Sequence, residues 1–115
     1  MIKYSSLEKA YENNGFYSLQ FEVGDKCYQG CTYCYMNAVE QTRKELTDEI
    51  VHDVLEDARK IDISAIEWLG GEPLLRPGIF SFMKHAKMLG LRNNMWTGGL
   101  PFKDRDIVEK TAELC

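Results

Sequence analysis

Three of the four cysteines in this sequence lie close together, with the spacing of a metal-binding loop. The run contains Cys27, Cys31 and Cys34 in the pattern C-x3-C-x2-C, whereas Cys115 lies far away in sequence. Thiolates are soft ligands that favour zinc or iron–sulfur clusters. A plain electron-transfer cluster takes four cysteines, and a structural zinc site also takes four ligands. Three thiolates leave one iron of a four-iron cluster open to another molecule, which suits catalysis better than structure.

Apolar residues elsewhere predict an alternation of strands and helices. Strand patterns cover residues 16–23, 63–69 and, more weakly, 91–96. Helical spacing covers residues 5–14, 47–60, 77–89 and 104–114, with Thr47 as an N-cap and Pro77 in a first turn. Alternating strands and helices predict a parallel sheet with right-handed crossovers, which is an α/β fold.

A second motif follows the second predicted strand and consists of Gly70, Gly71, Glu72 and Pro73. Taken alone, this stretch favours a tight turn. Two glycines also let the main chain approach a ligand closely, and Glu72 can orient the backbone or accept a hydrogen bond from an ammonium group. Because catalytic groups gather at the carboxyl ends of strands in strand–helix barrels, we expect this motif and the cysteine run at one edge.

The two motifs together resemble the radical S-adenosylmethionine superfamily, with Tyr33 at the aromatic position before the third cysteine. The resemblance implies that Cys27, Cys31 and Cys34 bind a [4Fe–4S] cluster whose open iron binds S-adenosylmethionine. It also implies that backbone groups of residues 70–73 hold the amino group of S-adenosylmethionine and that Tyr33 lies near its adenine.

The same resemblance implies an enzyme in which the reduced cluster cleaves S-adenosylmethionine to a 5′-deoxyadenosyl radical that abstracts hydrogen from a substrate. An electron donor such as a flavodoxin or ferredoxin is then required. Tyr35, directly after the cysteines, occurs in part of the family and hints at a peptide or protein substrate. Thr97 is a candidate lining residue, although Gly98 replaces the asparagine that many members have at the next position.

Other interpretations of the cysteine run remain open. The chain can be a non-catalytic iron–sulfur module, an inactive fragment or a zinc-stabilised fragment. Glu22 and Glu67 lie in strands near the motifs and are candidate polar groups of a barrel interior. His52 and His85 are expected to be surface or packing residues rather than ligands.

Composition restricts the partners and the compartment. The formal net charge of −4 does not favour binding of nucleic acid. The sequence has no apolar run of about 18 residues, so we expect no membrane-spanning helix. Metal-ligand cysteines without an export signal predict a reducing, cytoplasmic environment.

Length limits how much of a barrel the chain can form. It has 115 residues, whereas a complete eight-unit barrel takes about 250 and one strand–helix–strand unit about 30. We therefore expect residues 1–115 to be one radical S-adenosylmethionine core domain, truncated at its C-terminus. The predicted fold is a partial (β/α) barrel of about three to four parallel strands with outer helices.

Overall fold

The computed structural model describes residues 4–24 and 45–115, which contain one parallel sheet. Its strands are β1 (Ser18–Glu22), β2 (Ala65–Leu69) and β3 (Arg92–Met95), adjacent in that order. The helices are α1 (Tyr4–Glu12), α2 (Asp48–Lys60), α3 (Ile79–Met88) and α4 (Arg105–Leu114). Short 3-10 turns occupy Pro73–Leu75 and Leu100–Lys103. This open parallel sheet with its helices confirms the predicted α/β class and is consistent with part of a barrel.

One face of the sheet packs against α2 and α3 and forms the core. Phe21 of β1 stacks on Trp68 of β2 at 5.7 Å between ring centroids, and Trp68 stacks on Phe82 of α3 at 6.4 Å. Such aromatic pairs add stacking energy to the burial of large apolar surfaces. The other buried apolar side chains of this cluster are Val23, Val51, Leu55, Ala58, Ile63, Ile66, Ile79, Met83, Ala86 and Leu91. The opposite face of the sheet carries polar side chains and lies away from this core.

Helix α2 begins where the sequence predicts. The Thr47 hydroxyl accepts a hydrogen bond from the Ile50 amide at 3.3 Å, and Asp48 and Glu49 occupy the first turn. Acidic side chains at this end interact favourably with the helix dipole. The start of α2 is therefore fixed directly after Leu46.

Some local predictions were wrong. Helix α3 begins at Ile79 because Gly78, with φ 86°, occupies the N-cap, so Pro77 precedes the helix instead of lying in its first turn. The strands are shorter than their apolar patterns, and the two 3-10 turns were not predicted. In α1, the Tyr11 side chain is 85% exposed.

A buried asparagine joins the sheet to two helices. Asn93 of β3 is 3% exposed, and its Oδ1 accepts a hydrogen bond from Trp68 Nε1 at 2.8 Å. Its Nδ2 donates to the carbonyl oxygens of Met83 in α3 and Leu114 in α4, at 2.9 and 3.0 Å. Buried polar groups are almost always hydrogen-bonded, and Asn93 satisfies three of them at once.

Within the described parts of the chain, no helix is long and apolar enough to span a membrane.

Replacing Asn93 with Ala should lower the free energy of unfolding by about 2–4 kcal/mol, because unsatisfied buried groups cost about 1–3 kcal/mol each. Urea denaturation followed by circular dichroism measures this change. The matched control is Asn94→Ala, since Asn94 lies on the opposite face and donates to Glu67. We expect a smaller loss for the control, about 1 kcal/mol. Equal losses of unfolding free energy in the two variants would contradict the conclusion that Asn93 stabilises the core through its three buried hydrogen bonds.

Candidate functional site

The segments that follow the three strands meet at one edge of the sheet. Gly24 follows β1, Gly71 and Glu72 follow β2, and Thr97 follows β3. The Gly71 amide donates to the Gly24 carbonyl oxygen at 2.9 Å, and the Thr97 hydroxyl donates to the Glu72 carboxylate at 2.5 Å. The structure thus brings the residue 70–73 motif and Thr97 together, beside the end of β1.

Glu72 is the central polar group of this edge, although it is only 5% exposed. Its Oε1 accepts hydrogen bonds from the Thr97 hydroxyl at 2.5 Å and the Gly98 amide at 2.9 Å. Its Oε2 accepts from the Leu74 amide at 3.1 Å. The Thr97 hydroxyl also accepts from the Gly99 amide at 3.0 Å. Because these partners belong to the protein itself, the contacts favour a role for Glu72 in orienting the backbone after β2 and β3.

Gly70 is required by the close approach of two backbone segments. Its φ is 137°, and a Cβ atom added there would lie 2.3 Å from the Gly24 carbonyl oxygen. No side chain fits in that space. The observed close approach of Gly70 is to the chain at the end of β1, and the predicted approach of this motif to a ligand stays a prediction.

Arg76 is a buried cation directly before the segment where the sequence predicts a helix. It is 6% exposed, and its guanidinium donates to the carbonyl oxygens of Val23 at 2.7 Å and Leu46 at 2.6 Å. It also donates to the Asp48 carboxylate at 2.8 Å and lies 5.3 Å from the centroid of the Phe82 ring. The Arg-Pro-Gly sequence gives no signal of this role, because the partners are distant in sequence.

The polar face of the sheet carries one of the predicted interior carboxylates at its centre. In the strand register, Glu67 of β2 lies between Gln20 of β1 and Asn94 of β3. Its carboxylate accepts hydrogen bonds from Asn94 Nδ2 at 3.0 Å and Trp96 Nε1 at 2.7 Å. Glu22 is on the same face by strand alternation. This face thus offers fixed carboxylate and amide groups next to the carboxyl edge.

Several predicted site residues lie outside the described residues. They are the three cluster cysteines, Cys27, Cys31 and Cys34, and the aromatic Tyr33. Their predicted roles remain predictions. Among residues 4–24 and 45–115, there is no group of three or more His, Cys, Asp or Glu side chains that could hold a metal ion.

Cys115 and the histidines lie in other parts of the structure. Cys115 follows α4 and is exposed, and partial desolvation of its thiol raises its pKa above the ordinary value for cysteine. His52 and His85 contact each other between α2 and α3, with 2.7 Å between their Nδ1 atoms. His85 also contacts Glu56 at 3.3 Å. These contacts agree with packing roles for both histidines.

Comparison with known proteins identifies the family. A family model described as the Radical SAM superfamily matches residues 21–115. Since this match covers most of the chain, the chain belongs to the Radical SAM superfamily.

Individual relatives are similar over part of their length. PqqA peptide cyclase of Streptomyces rochei is 37% identical over 81 residues, which are 69% of this chain and 22% of the relative. Two proteins named probable GTP 3′,8-cyclase each align with 84% of this chain and 32% of their own length. The protein of Methanothermobacter marburgensis is 26% identical over 98 residues, and that of Saccharolobus islandicus is 34% identical over 97. The chain therefore spans about a fifth to a third of the length of these curated relatives.

Replacing Gly70 with Ala should destabilise the protein by about 2–5 kcal/mol, because backbone strain and steric overlap each cost about 1–3 kcal/mol. The free energy of unfolding in urea measures the loss. Gly90→Ala is the matched control: Gly90 also has a positive φ of 82°, but a Cβ atom there meets nothing within 4 Å. A control loss as large as that of Gly70→Ala would show that backbone strain alone explains the effect.

Proposed function

We propose that this chain is the part of a radical S-adenosylmethionine enzyme that binds a [4Fe–4S] cluster and S-adenosylmethionine. One observation carries the proposal. The motif of residues 70–73 is hydrogen-bonded to Gly24, which lies shortly before the cysteine run, at the carboxyl edge of a parallel sheet. The residue 70–73 motif thus lies at the edge from which the sequence continues toward the cysteine run, and strand–helix barrels carry their active sites at this edge.

The residues present fit the proposed cofactors. Three thiolates at positions 27, 31 and 34 suit iron–sulfur ligation and leave one iron without a protein ligand. The Gly24 carbonyl, held by the Gly71 amide, fixes where the chain leaves β1 toward these cysteines. The buried Glu72 fixes the backbone of the neighbouring segments without leaving a carboxylate oxygen unpaired.

The proposed roles follow from these positions. Cys27, Cys31 and Cys34 would hold the cluster, and Tyr33 would lie near the adenine of S-adenosylmethionine. Backbone groups of residues 70–73 would hold its amino group. Glu72 and Thr97 keep these backbone groups in place through their mutual hydrogen bond. When bound and reduced, the cluster would supply the electron for cleavage of S-adenosylmethionine into methionine and the 5′-deoxyadenosyl radical that abstracts hydrogen from the substrate.

We propose a peptide or protein as the substrate, and a flavodoxin or ferredoxin as the electron donor in the cytoplasm. The substrate proposal is supported by the relative named PqqA peptide cyclase, which is 37% identical over 81 residues, and by the position of Tyr35. The relatives named as GTP cyclases make a nucleotide the alternative that a substrate test must include. We further propose that residues 1–115 belong to one core domain.

Anaerobic reconstitution of the full chain tests the cofactor proposal. We expect about four irons per chain and an electron paramagnetic resonance signal that shifts when S-adenosylmethionine is added. Cys31→Ala should lose most of this iron, because it removes one of three ligands. Cys115→Ala is the matched control and should load normally. Release of 5′-deoxyadenosine after addition of a reductant then tests catalysis.

Other outcomes separate the alternative functions. Zinc without visible absorption would indicate a structural metal site and reject the proposal. Four irons with no effect of S-adenosylmethionine would indicate a non-catalytic iron–sulfur module. Loss of iron in Cys115→Ala would show a fourth protein ligand and remove the open iron on which the proposed chemistry depends.

A further inference from the structure

We propose that Arg76 is a positioning residue for the cluster-binding segment, because its guanidinium joins residues that precede that segment in sequence, directly after β1, to residues that follow it at the start of α2. The inference rests on the proposed function, which places a cluster on cysteines 27, 31 and 34. Arg76 itself touches neither cofactor in this proposal. Its role is to fix the two ends between which the three cysteines lie in sequence.

The departing end of the segment is held by two hydrogen bonds. The Arg76 Nη1 atom donates to the Val23 carbonyl oxygen at 2.7 Å, directly after β1. The next carbonyl oxygen, that of Gly24, accepts from the Gly71 amide at 2.9 Å. Two consecutive carbonyl groups therefore have fixed partners immediately before the segment begins.

The returning end is held by the same guanidinium. The Arg76 Nη2 atom donates to the Leu46 carbonyl oxygen at 2.6 Å and to Asp48 Oδ1 at 2.8 Å. Nη1 also lies 3.6 Å from Glu45 Oε2. Glu45 and Gly24 are themselves neighbours, since a Cβ atom added at Gly24 would lie 3.1 Å from Glu45 Oε1. One side chain thus joins the chain before residue 25 to the chain after residue 44.

The chemistry of arginine suits this task better than that of lysine. A planar guanidinium with five donors can bond several acceptors in fixed directions, whereas an ammonium group is a compact point charge on a flexible stem. Arg76 uses both terminal nitrogens, and its Nε atom donates to the Pro77 carbonyl oxygen at 3.3 Å. The Phe82 ring packs against the guanidinium at 5.3 Å and limits its movement.

The backbone of Arg76 is fixed by the segment that carries the second motif. Its amide donates to the Pro73 carbonyl oxygen at 3.1 Å, and its own carbonyl oxygen accepts from the Ile79 amide at 3.1 Å. Pro73 follows Glu72 directly, so the same short turn supports the proposed S-adenosylmethionine site and the ends of the cluster-binding segment. Replacing residues that orient metal ligands without touching the metal typically changes metal affinity by about 10- to 100-fold.

A purely structural role is the alternative, because removing one partner of a buried ion pair destabilises most proteins. The test therefore compares Arg76→Gln with Asn93→Ala, a variant that loses buried hydrogen bonds among β2, β3, α3 and α4. The full chain is reconstituted anaerobically, and the rate of iron release to a chelator is measured at urea concentrations that equalise the free energy of unfolding. We expect release about 10- to 100-fold faster from Arg76→Gln than from Asn93→Ala.

The remaining outcomes separate the two proposals. Failure of the parent protein to take up iron would overturn the proposed function. Normal loading of the parent, with equal release rates for Arg76→Gln and Asn93→Ala at matched stability, would overturn the role of Arg76 alone.

Arg76→Lys keeps the positive charge, so it is used if Arg76→Gln does not fold. We expect its release rate to lie between those of the parent and Arg76→Gln, and a parental rate in a folded Arg76→Lys variant would contradict the need for the guanidinium fork.

Discussion

Two buried charged side chains four positions apart hold the carboxyl edge of this sheet together. Glu72 reaches from the end of β2 to Thr97 and Gly98 after β3, whereas Arg76 reaches to Val23 after β1 and to Leu46 before α2. Parallel strands do not share tight turns, so the segments that follow them need such contacts to be aligned. Because burial of a charge is unfavourable without partners, both side chains can occupy only positions where these acceptors or donors are present.

At this sheet edge, the contact between the ends of β1 and β2 differs in kind from the contact between the ends of β2 and β3. Between β1 and β2, contact is made by the backbone itself, since Gly70 leaves no room for a side chain beside Gly24. Between β2 and β3, contact is made through the Glu72 carboxylate. The apolar core lies on the other side of the strands, around Trp68 and Phe82. Residues at the edge can therefore be selected for binding while the core supplies most of the stability.

The order of the described elements and the position of the residue 70–73 motif at the carboxyl edge were predictable because they depend on local patterns. Strand alternation, the Thr47 cap and the glycine-rich motif each involve neighbours in sequence, and a parallel sheet then places strand ends at one edge. The contact between Glu72 and Thr97 was not predictable, because it depends on the pairing of β2 with β3. The start of α3 was also missed, since Pro77 and Gly78 are each compatible with more than one position near a helix start.

The sequence by itself determined the α/β class, the resemblance to the radical S-adenosylmethionine superfamily and the residue types available for ligation. Only the tertiary structure decided which groups the buried side chains of Glu72 and Arg76 bind. The terminal nitrogens of Arg76 donate to the carbonyl oxygens of Val23 and Leu46, which lie 53 and 30 positions away. Hydrogen bonds of this kind depend on distance in space, and separation along the chain does not specify them.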